Sequence, residues 1–301
     1  MKKTTKIITH LPPRHLDDFL AVNLLKYQYP HAKVEFVHPQ NVPEEYFNSD
    51  DIVLVDVGGK YDPEKRNYDH HQDSNIPSSL VLVIQDEFKF NKDELLDLKT
   101  IQTIDVIDRL GFKEAQNRNL ITNNDTIDNM RKTILFLELD KIPRIVSDIV
   151  VDTFDRIRLK LIEDNLDSFI SNLYKSLDEL RLLEQPKARI NQEKIEFDRK
   201  LAKSKNLKIG DLNVLISDES FSPNHRMLFD KGYDLLVERN SMNSKHTSII
   251  INTQSNKAKD FDLNNLSLGD YQIVFKHPSG FLTVIDKKID EVIQNLITKT
   301  K

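Results

Sequence analysis

Residues 51–59 read DIVLVDVGG, and this short run constrains the chain more than any other. Four consecutive apolar residues bounded by aspartates and a glycine pair are too short for a buried helix and suit a strand. An apolar run without alternation implies a strand covered on both faces, as in a parallel sheet. Parallel neighbours need crossover connections, so helices must lie between the strands. The preceding sequence supplies them. TKIITH ends a strand at His10, the two prolines of LPPR stop it, and HLDDFLAVNLLKYQY carries Phe19, Leu20, Val22, Leu24 and Leu25 in a helical pattern. KVEFVH is a further strand. Strand–helix–strand order places the chain in the α/β class.

At 301 residues the chain exceeds one ordinary core, so two domains are expected. Residues 79–111 are mainly helical, with Gly111 as a C-cap. Residues 145–183 lack Gly and Pro and read as one long helix or two, and the Pro186 region breaks that pattern. Beyond NLKIGD the texture changes. LNVLISD, YDLLVERN, HTSIIINTQ, YQIVFKH and FLTVID are strand candidates, with helices at HRMLFDKG and at the end. The expected division is 1–189, a mainly parallel sheet flanked by helices with a helical linker, and 190–301, a smaller α+β domain.

Composition narrows the chemistry. Cysteine is absent, which excludes disulfides, zinc–thiolate sites and thiol nucleophiles. A metal here must rest on His, Asp and Glu, which favours harder ions such as Mn, Mg or Fe. The lysines of MKKTTKIITH precede no long apolar run, and no window reaches the length of a membrane span, so the expectation is a cytoplasmic protein without membrane contact. The net charge of −5 offers no general attraction to nucleic acid, though a local basic groove is compatible with it.

Against this background NYDHHQ stands out, since two of nine histidines are adjacent and follow an aspartate. His10, His15 and Asp17 surround the first strand–helix turn. Asp56 closes the third strand before Gly58 and Gly59. Asp69, His70 and His71 follow, and Asp105 and Asp108 lie one helical turn apart in IDVIDRLG. In open α/β sheets ligands gather beyond the carboxyl ends of the strands, where the first three features map. Singly, each has a plainer explanation: Asp17 and Asp18 complement a helix dipole, Asp56 caps a turn, and Asp105 and Asp108 form a solvated face. Jointly, imidazoles and carboxylates without sulfur suit two divalent ions bridged by a carboxylate.

These stretches resemble the DHH phosphoesterase superfamily, and more closely its branch named after the melanocyte proliferating gene protein. That branch carries TH…FH.DE, DVGG.YDP…RYDHHQ, VDA.DNG and VH.SGFIGG. This chain carries THLPPRHLDD, DVGGKYDPEKRNYDHHQ, IDVIDRLG and KHPSGFLTV. The resemblance implies an N-terminal DHH domain with two divalent ions, Mn2+ first and Mg2+ as the alternative. It implies His10, His15, Asp17, Asp56 and His70 as ligands, Asp56 as the bridge, and Asp108 in preference to Asp105 as a further carboxylate. Asp69 would orient an imidazole, and His71 would contact the scissile phosphate or protonate the leaving group. His277, Ser279 and Gly280 would grip substrate. Arg239, Arg226 and Lys276 are weaker phosphate candidates. The implied activity is 3′–5′ exonuclease action on RNA or short oligonucleotides, with a hydroxide activated by two metals. Hydrolysis of dinucleotides, cyclic dinucleotides or pyrophosphate is the alternative, and a non-catalytic nucleic-acid-binding relative is a third. Oligomeric state stays open, a homodimer being one option. The departures are Leu11-Pro12 for Asn-Gly, Asp18 for Glu, DRLG for DNG, and the missing glycines after Phe281-Leu282.

Overall fold

A computed structural model describes all residues except 1–3, 12–13, 40, 122–124, 138, 223, 259–271, 277–281 and 300–301. The chain divides into two compact units, Met1–Ile190 and Asn191–Lys301.

In the first unit the order is β1 (Lys6–His10), α1 (Leu16–Gln28), β2 (Lys33–Val37), β3 (Ile52–Val55), β4 (Tyr61–Asp62) and β5 (Asn67–Tyr68). Helices follow: α2 (Ser79–Glu87), α3 (Lys92–Leu96), α4 (Lys99–Leu110), α5 (Phe112–Asn117), α6 (Asp125–Thr133), α7 (Arg144–Arg158) and α8 (Leu166–Glu179). The sheet runs β2-β1-β3-β5-β4. β1 pairs in parallel with β2 and β3, β3 with β5, and only β4 is antiparallel. β3 is central and wholly buried, as its unbroken apolar run requires.

One face of this sheet packs under α1, which is buried from Leu16 to Leu25 and touches the sheet, α2, α4 and α7. A helix apolar on nearly every side must be covered on nearly every side. Its buried Asn23 donates to the Phe19 carbonyl and accepts from Ser147 on α7, which satisfies the amide. The other face buries Ile8, Ile52, Leu54 and Val57 against Tyr46 and Phe47 of a 3-10 turn.

The sequence expectation of one helix or two over 145–183 resolves into α7 and α8. Asn165 caps α8, its side chain accepting the Ser168 N–H at 2.8 Å. Gly111 caps α4 with φ 86°, as expected. The helical pattern does break close to Pro186, at 180–183 after α8, but Pro186 itself is not the break. It lies in the first turn of α9 (Glu184–Lys203), where the missing N–H has no helical partner to lose.

The second unit holds β6 (Lys205–Ile209), β7 (Leu212–Ser217), α10 (His225–Asp230), β8 (Leu235–Arg239), β9 (Thr247–Ile251), β10 (Ile273–Lys276), β11 (Leu282–Ile285) and α11 (Ile289–Lys299). Its sheet runs β10-β11-β9-β8-β7-β6, antiparallel except for β7 beside β8. Alternation sorts the core. Val214, Val237, Ile249 and Ile285 pack with Val292 of α11, while Leu215, Leu236 and Ile250 pack with Phe197 of α9 and Leu228 of α10. The fold is therefore mixed α/β with two mixed sheets, an α/β N-terminal unit and a smaller C-terminal one. β6 was not expected from KNLKI, because an exposed edge strand guarded by lysines shows little apolar signal.

Candidate metal centre

The three parallel strands β1, β3 and β5 end along one edge of the first sheet, and each end delivers part of a cluster. His10 is the last residue of β1. Asp56 follows β3 with φ 56°, the left-handed region that few non-glycine residues adopt. Its N–H still pairs with the Tyr68 carbonyl at 3.0 Å, so the turn begins only at its own Cα. Asp69, His70 and His71 follow β5. Asp17 comes from the first turn of α1, and Asp108 from the last turn of α4.

His10 Nε2 lies 3.4 Å from Asp56 Oδ2 and 3.1 Å from Asp18 Oδ2. His70 Nε2 lies 3.3 Å from Asp56 Oδ1 and 2.8 Å from Asp108 Oδ2. His15 Nδ1 is 3.9 Å from Asp108 Oδ1. Two groups of side chains bring one donor atom each within 4.8 Å of one another: His10, His15 and Asp56, and Asp17, Asp56, His70 and Asp108. Asp56 belongs to both. A third grouping, Asp56 with His70 and His71, also meets that distance.

Hydrogen bonding decides which nitrogens are available. His10 Nδ1 donates to the Leu11 carbonyl at 2.6 Å, which leaves Nε2 as the atom that can offer a lone pair. His71 Nδ1 donates to Asp69 Oδ1 at 2.7 Å, so only its Nε2 remains, on a side chain about one-third exposed. Asp69 accepts the backbone N–H of His71 as well, at 3.0 Å, and its other oxygen accepts the Gly59 N–H at 2.6 Å. It thereby ties the glycine turn after β3 to the histidine pair after β5. Gly58 has φ 103°, and a Cβ there would stand 2.8 Å from the Phe47 ring. Ser79 Oγ donates to Asp56 Oδ1 at 3.2 Å.

The cluster is electrostatically unfinished without a cation. Among the described residues both oxygens of Asp17 are buried with no hydrogen-bond partner, and so are His10 Nε2, His70 Nε2, Asp18 Oδ2 and Asp108 Oδ2. The short contacts above therefore lack hydrogen-bond geometry. Burial, then Asp108, Asp56 and Asp18, push the Asp17 carboxyl well above its usual range. Burial lowers the His10 and His70 imidazoles, but Asp18 and Asp56 carry His10 well above its ordinary value, and Asp108 and Asp56 carry His70 to about 10. Burial works against the Asp56 carboxylate, yet His10 and His70 hold it well below the usual range. Imidazole nitrogen and carboxylate oxygen, orphaned and converging, fit hard divalent cations.

Other sequence candidates lie elsewhere. Asp105 is buried but turned away: it accepts the Ser78 N–H at 2.8 Å and Arg109 Nε at 3.0 Å. Arg109 also holds the Ser74 carbonyl, so Asp105 tethers the loop after the histidine pair to α4. Arg239 ends β8, 3.6 Å from Asp218, and Arg226 pairs with Asp230 at 3.0 Å. Lys276 ends the exposed β10. His277, Ser279 and Gly280 lie outside the described residues. Arg14 and Ser79 were not singled out from sequence, and Asp18 only as a helix-dipole complement and a departure from the family's Glu, since nothing in their spacing marks them as buried.

Residues 6–79 match a family model described as MYG1_exonuc, Uncharacterised protein family (UPF0160). That segment holds every residue of the cluster except Asp108. The chain is similar to the MYG1 exonuclease of Bos taurus, 41% identical over 69 residues, 23% of this chain and 17% of that protein. The Homo sapiens MYG1 exonuclease is 41% identical over 69 residues, 23% and 18% respectively. The Mus musculus protein is 40% identical over 67 residues, 22% and 17%. The similarity therefore spans less than a fifth of the length of these relatives and lies in the segment that builds the cluster. Among the described residues no helix is long and apolar enough to cross a membrane.

Proposed function

We propose that this protein is a metal-dependent phosphodiester hydrolase, a 3′–5′ exonuclease on RNA or short oligonucleotides. The observation that carries the proposal is the pair of donor groups sharing Asp56, the second of which contains the buried Asp17 with no hydrogen-bond partner among the described residues, in the segment that resembles exonucleases. His10, His15 and Asp56 would hold one divalent cation, and Asp17, Asp56, His70 and Asp108 the other. Two such cations, Mn2+ or Mg2+, would lower the pKa of water and neutralise phosphoryl oxygens.

The chain's own groups do the rest. Asp69 fixes the His71 tautomer with Nδ1 as donor, so Nε2 faces outward toward a scissile phosphate or leaving oxygen. The hydrogen bonds from His71 N–H and Gly59 N–H hold Asp69 in turn. Ser79 steadies Asp56 from below. Arg239, Arg226 and Lys276 remain weak candidates for phosphate contacts.

The test is a time course with 5′-labelled single-stranded RNA in Mn2+, Mg2+ and EDTA, beside the His70→Ala variant. A metal-dependent ladder shortening from the 3′ end, absent in the variant, supports the proposal. RNA left intact while pyrophosphate or dinucleotides are hydrolysed would move the substrate to small phosphates.

A further inference from the structure

Arg14 is among the largest fully buried side chains, 1% exposed. Burying a cation costs several kcal/mol unless it is paired and hydrogen-bonded. Its surroundings show what it is held for. Nη1 donates to the His10 carbonyl oxygen and lies 3.7 Å from Asp18 Oδ2. The guanidinium carbon sits 4.2 Å from the centroid of the Phe36 ring, and the Arg14 N–H donates to the Leu135 carbonyl at 3.4 Å. Asp18 is itself fully buried. One oxygen accepts the His15 N–H at 2.9 Å, and the other lies 3.1 Å from His10 Nε2. Arg14 and Asp18 together therefore touch the backbone of both histidines in the first donor group, and Asp18 also touches the His10 imidazole.

Building on the proposed two-cation centre, we infer that Arg14 is a positioning residue: acting through Asp18 and the His10 carbonyl, it sets His10 and His15 for cation binding. At 1% exposure it cannot reach a substrate phosphate. A purely electrostatic role has the opposite sign. A positive charge this near repels a divalent ion, so its removal would then tighten binding. Loss of positioning weakens binding, typically 10–100-fold when a partner that orients a ligand is removed.

The experiment is calorimetric titration of Mn2+ into wild type, Arg14→Met, Arg14→Lys, Asp18→Asn and the Arg14→Met/Asp18→Asn double variant, each checked for folding by circular dichroism. The expected result is 10–100-fold weaker Mn2+ binding in Arg14→Met and in Asp18→Asn, with partial recovery in Arg14→Lys. The double variant should be no weaker than the weaker single one, because the two residues act as one unit. Folded Arg14→Met that binds as tightly as wild type, or more tightly, overturns the inference, as do losses that multiply in the double variant. Should Arg14→Met not fold, unchanged affinity in Asp18→Asn overturns it equally. Wild type that binds no Mn2+ instead overturns the two-cation reading and this inference with it.

Discussion

Replacing Asp17 by asparagine removes a carboxyl whose ionised form this site disfavours. Asp17 is 1% exposed, both oxygens lack hydrogen bonds, and Asp108, Asp56 and Asp18 all act on it with the same sign. In the metal-free protein the asparagine NH2 can donate to a neighbouring carboxylate without the proton that the carboxyl must take up on folding, and a hydrogen bond to a charged group is worth about 1.5–3 kcal/mol. Asp17→Asn should therefore stabilise the protein in EDTA by about 1–3 kcal/mol. At about 2–4 °C per kcal/mol for a unit of this size, the melting temperature rises by several degrees. In Mn2+ the order reverses. At a hundredfold excess over Kd, wild type gains about 2.7 kcal/mol from binding, and the variant forgoes the part contributed by the second group. Differential scanning fluorimetry of both proteins in EDTA and in Mn2+ gives the four values. Destabilisation by Asp17→Asn in EDTA, or an equal response of both proteins to Mn2+, would refute this reasoning.

Four other outcomes follow from the same geometry. His71→Asn keeps Mn2+ binding, since His71 belongs to neither of the two groups proposed to hold the cations, but lowers hydrolysis roughly 100- to 10,000-fold, measured as single-turnover RNA cleavage. Asp108→Asn weakens Mn2+ binding while Asp105→Asn leaves it intact and costs about 1–3 kcal/mol of stability through Ser78 and Arg109, a contrast read by calorimetry and urea unfolding. Gly58→Ala strains a φ of 103° and drives a Cβ to 2.8 Å from Phe47, so it should lower stability by about 1–3 kcal/mol in urea unfolding. Glu87 is half-buried, which alone would raise its carboxyl, but Arg66 and the hydroxyls of Tyr29 and Tyr68 hold it below the ordinary 4.5. A depressed folded value contributes stability that is complete above 4.5 and lost as pH falls through the folded value. Denaturant midpoints for Glu87→Gln should therefore be lower than wild type at neutral pH and converge with it in acid.

The centre of the first sheet was legible because β1 and β3 are buried on both faces. IVLV admits little besides a central strand, and HLDDFLAVNLLKYQY little besides a buried helix. Within the cluster, sequence order placed His10 and Asp56 at strand ends and the Asp69–His71 run at the same sheet edge, and the structure does bring them together, with the short β5 before Asp69 that the sequence had not shown. What stayed hidden depends on contacts distant in sequence. Asp105 and Asp108 share a helix and a residue type, and only the Ser78 amide and Arg109 turn one of them away. Arg14 carries no mark of burial in the sequence because arginine is rarely buried, and its burial here rests on Phe36 and Leu135, over twenty and over a hundred residues away. Pro186 looked like a stop because its tolerance at a helix start depends on where the helix begins.

The central claim is that one carboxylate, Asp56, serves two cations. Native mass spectrometry of the protein equilibrated with Mn2+ counts them directly. The account predicts two ions per chain in wild type and loss of both in Asp56→Asn. An Asp56→Asn protein that still retains two ions, or a wild type that carries none at saturating Mn2+, would contradict it.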